Sequence, residues 1–194
     1  YSFNSGKAPE SGGNWVAKGI SADKLIYWGE SHDTWSNNQD YGYSNDMSQN
    51  VIDRAYAVAA SRSQITALYF SRPSSKVKTD IKAGVKGSTH FTSNEVAEVN
   101  RFHNAMIGQK DSYAMSNNCS VVTREQGAVI VKGSGSGSVT VENAGNLTKP
   151  GTYTDQVSGN KFTVTSNEIK GEIGSSGIAV IYNAKVIPRN TISQ

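Results

Sequence analysis

Leu25-Ile26-Tyr27-Trp28-Gly29-Glu30-Ser31-His32-Asp33 decides how the rest of this chain reads. Four apolar residues without alternation predict a strand buried on both faces, as in a parallel sheet. The run breaks at Gly29 into four polar residues. Downstream, residues 34–45 are rich in Asn, Ser, Tyr and Gln and predict a long loop. Met47, Val51, Ile52, Ala55, Val58 and Ala59 then recur at spacings of three and four, which predicts a helix with one apolar stripe. Ser44, Asn45 or Asp46 can cap it, and Ser61-Arg62-Ser63 ends it. Ile65 to Phe70 reads as a second buried strand, closed by Ser71-Arg72-Pro73. Residues 74–90, with Lys76, Lys78, Lys82 and Lys86, predict a solvated loop. A second helix opens at Thr92, where Thr92-x-x-Glu95 fits a capping box, and buries Val96, Val99, His103 and Met106 before Gly108 stops it. Residues 24–107 thus repeat strand, loop, helix twice, the rhythm of an α/β parallel sheet. A closed β/α barrel needs eight such units, with the loops after its strands forming the active face, so this stretch reads as a quarter of a barrel. Upstream, residues 1–22 read as a loop or frayed entry segment, with Trp15 as packing.

Past residue 108 the period changes to two. Cys119–Thr123, Ala128–Lys132, Ser138–Glu142, Lys161–Thr165, Glu168–Ile173 and Ile178–Tyr182 are short strands separated by turn residues such as Pro150-Gly151 and Ser175-Ser176-Gly177. Residues 109–187 therefore predict an antiparallel β-sandwich that closes its own core, with Gly133–Gly137 as a hairpin loop and 188–194 as a tail. Composition agrees: among 194 residues there are 19 glycines, while leucine occurs only as Leu25, Leu68 and Leu147.

Bulk properties exclude several classes. A net charge of +3 with no basic stripe argues against nucleic-acid binding. No apolar stretch approaches the roughly 20 residues of a membrane helix. Cys119 is the single cysteine, so an internal disulfide and an all-cysteine metal site are excluded; it reads as a buried apolar residue. The chain opens on Tyr1 rather than Met, as expected of a processed or shortened polypeptide. Few charges and many Asn, Ser, Thr and Tyr residues suit a secreted carbohydrate-active protein.

Glu30-Ser31-His32-Asp33 lies where barrel enzymes place their chemistry. His32 can donate a hydrogen bond to a sugar hydroxyl. Asp33 can grip a hydroxyl or stabilise positive charge developing on a ring; alternatively, Asp33 with Thr34 simply starts a turn. Trp35, Tyr41 and Tyr43 crowd the following loop, where flat aromatic faces either stack on sugars or pack the loop. His103 reads as a core histidine, His90 as a solvated loop residue, and Arg72 as half of a structural ion pair.

Trp28-Gly29-Glu30-Ser31-His32-Asp33-Thr34 resembles the fourth conserved region of the α-amylase family of glycoside hydrolases, family thirteen, whose strand-seven motif ends in His-Asp. Ser21–Leu25, Ala59–Ser63, Ala67–Pro73 and Val99–Asn104 are similar to the bacterial secreted members. The resemblance covers about residues 20–185 and implies a fold: residues 1–108 as barrel strands seven and eight with their helices, and 109–187 as the family's C-terminal Greek-key domain. It also implies roles. Asp33 would be the transition-state stabiliser, and His32, with Trp35 beside it, would bind the substrate sugar. The implied reaction is retaining endo-hydrolysis of α-1,4-glucan in starch, with nucleophile and acid about 5 Å apart. In the family both of those residues lie upstream of this chain's first position, as do the calcium ligands. The expectation is therefore an incomplete enzyme without metal or cofactor in this chain, with calcium in a full-length parent. Self-association, or association with a missing barrel portion, is expected through exposed strands. Ser31 stands where chloride-dependent relatives carry Asn. A non-catalytic glucan-binding or structural fragment, and a related α-glucosidase or transglycosylase, remain the rival readings.

Overall fold

The apolar run forms a strand, and its partner is the one the spacing indicated. In a computed structural model that describes residues 2–11, 19–36 and 44–183, β1 (Ile26–Trp28) and β2 (Thr66–Leu68) pair in parallel, with Tyr27 opposite Ala67. Between them lie α1 (His32–Ser36) and α2 (Gln49–Ser61), and α3 (Asn94–Ala105) follows β2. Trp15, Tyr41, Tyr43 and the tail at 188–194 lie outside the described residues.

Several local expectations are corrected. The strands expected to be buried on both faces are covered on one: Tyr27 and Ala67 turn inward, while Ile26, Trp28 and Leu68 are each more than half exposed. Helix α1 replaces the first part of the predicted loop. Ser48 caps α2, its hydroxyl accepting from the Val51 N–H at 3.3 Å, because Ser44, Asn45 and Asp46 fall a turn too early. No Thr92 capping box forms. Thr92 ends a short 3₁₀ turn, its hydroxyl bonded to the Thr89 carbonyl, and Ser93 takes the cap position of α3. Residues 2–11 are anchored rather than frayed: Phe3 and Ala8 are buried in the core, and the Ala8 N–H donates to Asn118 Oδ1 at 2.9 Å.

Eight strands complete the chain: β3 (Ser112–Ser116), β4 (Cys119–Arg124), β5 (Gly127–Lys132), β6 (Gly137–Glu142), β7 (Gly151–Thr154), β8 (Lys161–Val164), β9 (Glu168–Ile173) and β10 (Ile178–Tyr182). They form two antiparallel sheets, ordered β10-β5-β4-β3 and β6-β9-β8-β7. Strands β3 and β7 escaped the sequence pattern: β7 is polar apart from its buried Tyr153, and β3, Ser-Tyr-Ala-Met-Ser, has no fully buried residue. Gly133–Ser136 is not a hairpin loop. It carries the chain from β5 in one sheet to β6 in the other.

The sheets face each other across a core that includes Val121, Ile130 and Ile181 from one and Val141, Phe162 and Ile169 from the other. The outer face of the first sheet is apolar as well. Val122, Val129, Val131, Ile178, Val180 and Tyr182 share one core with Tyr56 and Ala57 of α2 and Val96, Val99 and Phe102 of α3. Hence β4, β5 and β10 are buried on both faces. The two sheets thus enclose one core between them, and the middle sheet shares a second with the helices, so helices, middle sheet and outer sheet form three layers. Two buried arginines lock it. Arg124 donates to the Ser61, Met106 and Gln109 carbonyls, and Arg54 donates to those of Lys132 and Gly135.

Candidate functional site at the carboxyl ends of the parallel strands

Parallel pairing aims the carboxyl ends of β1 and β2 the same way, so the polar residues that follow them converge. Glu30, just past β1, has a fully buried side chain, and Arg72, just past β2, grips it with both prongs: Nε to Oε2 at 2.9 Å and Nη2 to Oε1 at 3.0 Å. Nη2 also donates to the Met47 carbonyl at 2.9 Å. A bidentate guanidinium–carboxylate pair is both strong and directional, and here it fixes the spacing of the two strand ends. This is the ion-pair role read for Arg72.

Ser31 and Thr34 cap α1 reciprocally. The Ser31 N–H donates to Thr34 Oγ1 at 3.0 Å, and the Thr34 N–H to Ser31 Oγ at 3.4 Å. Ser44 steadies this turn by donating its hydroxyl to Thr34 Oγ1 at 2.9 Å. His32 and Asp33 sit within this turn, with His32 Nε2 3.4 Å from Asp33 Oδ1 and the two side chains 79% and 47% exposed. The turn reading is therefore correct for the backbone, but its capping bonds join Ser31 and Thr34. A carboxylate and an imidazole stand side by side within reach of solvent, able to accept from and donate to neighbouring hydroxyls.

Trp35 does not offer its face. It is buried, with the Arg72 guanidinium 4.1 Å from the ring centroid and Lys76 at 5.4 Å, and its indole N–H donates to the Ser75 carbonyl. The expected sugar contact is corrected to a floor under the Glu30–Arg72 pair, because the cation occupies the π-face that a sugar would need.

A second polar group was not legible in the sequence. Asp53, on α2, is buried; His90 Nε2 approaches its Oδ2 at 2.6 Å, while Gln49 and the Tyr69 hydroxyl donate to Oδ1 at 3.2 and 3.1 Å. Burial pushes the Asp53 carboxyl up, and the contacts with His90, Gln49 and Tyr69 pull it part of the way back. Glu95, in the first turn of α3, lies 3.8 Å from His90 Nε2. The reading of His90 as a solvated loop residue is thus corrected. A signal was present in Asp53, a charged residue on a buried stretch of helix, but its partner lies 37 residues away. His103 is half-buried rather than a core residue. Its Nδ1 stands 2.8 Å from the Ala60 carbonyl, and it lines a cleft of about 350 Å³ with Tyr56, Ser63, Gln64, Asn100 and Asn104.

No family model matches the chain. Curated proteins do, two alpha-amylases among them. An alpha-amylase of Clostridium acetobutylicum is 30% identical over 185 residues, 91% of this chain and 22% of that protein. An alpha-amylase of Butyrivibrio fibrisolvens is 28% identical over 173 residues, 82% and 17% respectively. The chain spans about a fifth of the length of these relatives. Among solved structures, an alpha-amylase from Malbranchea cinnamomea superposes with a TM-score of 0.62 at 14% identity, covering 95% of this chain and 44% of the other. Wild-type alpha-amylase I from Eisenia fetida gives 0.61 at 14%, covering 87% and 43%. At that identity the structures establish a shared fold. The resemblance to alpha-amylases thus extends over most of the chain in sequence and in fold.

Proposed function

We propose that this chain is the C-terminal part of a secreted α-amylase that cleaves α-1,4 bonds of starch-like glucans internally with retention of configuration. Residues 24–107 then correspond to the last two β/α units of the catalytic barrel. The two antiparallel sheets correspond to the family's Greek-key domain, a reading supported by the order β6-β9-β8-β7, in which the first strand lies beside the last. The exposed Ile26, Trp28 and Leu68 suit an interior that further barrel strands would cover. The Eisenia fetida alpha-amylase I, in its E249Q form, was solved with maltohexaose, which supports a glucan as the substrate class here.

The observation that carries the proposal is the solvent-facing His32–Asp33 pair at the end of β1, held in place by the buried Glu30–Arg72 pair, in a chain similar to alpha-amylases across nine-tenths of its length. In this reading Asp33 binds sugar hydroxyls and offsets the positive charge that develops on the ring, and His32 binds the same sugar. The nucleophile and acid come from parts of the enzyme outside this sequence. So do the calcium ligands. Among the described residues the one cluster of three candidate ligands is Asp53, His90 and Glu95, and a nitrogen donor with two carboxylates falls short of the six to eight oxygens calcium takes.

The test is Asp33→Asn in the longer protein. Removing the charge while keeping the shape lowers kcat on the order of 10³-fold with the melting temperature kept. Near-normal kcat would refute the assignment. The 194-residue chain by itself is expected not to hydrolyse soluble starch, and turnover by a preparation free of contaminating amylase would place the whole active centre within it.

A further inference from the structure

Asp53, His90 and Glu95 reach one point from the first half of α2, the 3₁₀ turn before α3, and the first turn of α3. One ligand-capable atom from each lies within 4.8 Å of the others. The Asp53 side chain is 1% exposed, those of His90 and Glu95 33% and 20%, so the group has a closed back and an open front. The back is organised: Gln49 and Tyr69 hold Asp53 Oδ1 by hydrogen bonds and leave Oδ2 turned to His90.

We propose that Asp53, His90 and Glu95 form a binding site for a divalent transition-metal cation, with zinc the best fit. Two carboxylates and a neutral imidazole carry a charge of −2, which matches the ion. Zinc takes imidazole nitrogen and carboxylate oxygen at about 2.0–2.2 Å, often with three protein ligands and one open position. Donors arranged tetrahedrally at those lengths stand about 3.4 Å apart. The observed separations from His90 Nε2, 2.6 Å to Asp53 Oδ2 and 3.8 Å to Glu95 Oε1, lie on either side of that value. Binding therefore asks for small side-chain shifts and no rearrangement of the helices. Gln49 and Tyr69 act as the outer partners that orient a ligating carboxylate. Magnesium is disfavoured by the nitrogen donor and by its demand for six oxygens. Such a site would staple α2 to α3 across the long connection between β2 and α3. It uses neither His32 nor Asp33, and its test reads nothing of starch hydrolysis.

The 194-residue chain, stripped with chelator and dialysed, is titrated with zinc chloride against a chromophoric competitor, and its melting is followed in parallel. One zinc per chain is expected, with Tm raised by about 5 °C or more at a hundredfold excess over Kd. Magnesium and calcium at the same concentration leave Tm unchanged. Asp53 is buried, so the variants are made at the open front: His90→Ala abolishes the shift, and Glu95→Gln weakens zinc at least tenfold with the fold kept. If zinc does not bind, or binds equally in His90→Ala and Glu95→Gln, the site is refuted and the group is a structural ion pair.

Discussion

Replacing Arg124 by Met tests the claim that one buried cation ties the helical layer to the sandwich. Arg124 is 1% exposed. Its guanidinium makes four hydrogen bonds to three carbonyls: Nε and Nη2 to Ser61 at 3.1 and 2.9 Å, and Nη1 to Met106 at 3.1 Å and to Gln109 at 3.0 Å. Ser61 is the last residue of α2, and Met106 and Gln109 lie just beyond the end of α3. One side chain therefore satisfies orphan carbonyls at two helix ends and places a positive charge where both dipoles are negative. Burial lowers its pKa to about 10, with Asp111 opposing the shift, so it is charged at neutral pH. Met removes the charge and its desolvation penalty but strands the Ser61 and Gln109 carbonyls, each costing about 1–3 kcal/mol, while the Met106 carbonyl keeps the Gln109 N–H. Partial relief of that penalty leaves a net loss of about 2–4 kcal/mol. That is a large share of the about 5–15 kcal/mol that holds a typical domain. Urea denaturation should show a lower midpoint at unchanged slope. Hydrogen exchange should quicken in the last turns of α2 and α3 while β8 and β9 stay protected. Arg124→Lys should recover less than half of the loss, because one ammonium cannot span three carbonyls. A loss below about 1 kcal/mol for Met would mean that water serves those carbonyls and that the arginine is not the fastener.

Asp111 gives a pH signature. Burial raises its pKa, but hydrogen bonds from Arg62 and the Ser63 N–H, with the charges of Arg62 and Arg124, outweigh that and hold it below the ordinary carboxylate value. A depressed folded-state pKa contributes stability that is complete above the unfolded value near 4 and is lost as pH falls through the folded one. Melting temperature measured from pH 6 down to pH 2 should therefore fall less steeply in Asp111→Asn than in the parent. A Cβ on Gly171 would stand 2.5 Å from Cγ of the buried Phe162 ring. Gly171→Ala should cost about 1–3 kcal/mol in denaturant titration, and no loss would mean that the ring has room to turn. Residues 109–187 expressed by themselves bare six apolar side chains on the face that α2 and α3 cover. They should associate or bind a hydrophobic dye in sedimentation and fluorescence assays, whereas a clean monomer would show that the middle sheet does not need the helices.

What the sequence alone determined is local. Leu25–Trp28, unbroken, and Ile65–Phe70, apolar except at Thr66, marked parallel strands, and the three-four spacing of Val51, Ile52, Ala55 and Val58 marked α2. Turn residues outlined six of the eight sandwich strands. The amylase resemblance rested on short runs such as His32-Asp33 and Ser71-Arg72-Pro73, and the comparisons extended it across the chain. Tertiary structure decided what depended on distant partners. Whether Gly133–Ser136 joined two strands of one sheet or crossed between sheets could not be read from glycine and serine, which permit both. Strand β3 lies at a sheet edge and is only half-buried, so its short Tyr113-Ala114-Met115 run did not stand out as a strand. Trp35 looked available for a sugar because its sequence neighbours are polar, but Arg72, more than thirty residues later, covers its ring. Asp53 and His90 met for the same reason. A buried charge is tolerated only with a partner, and which partner arrives depends on how α2, β2 and the turn before α3 pack, not on any spacing along the chain.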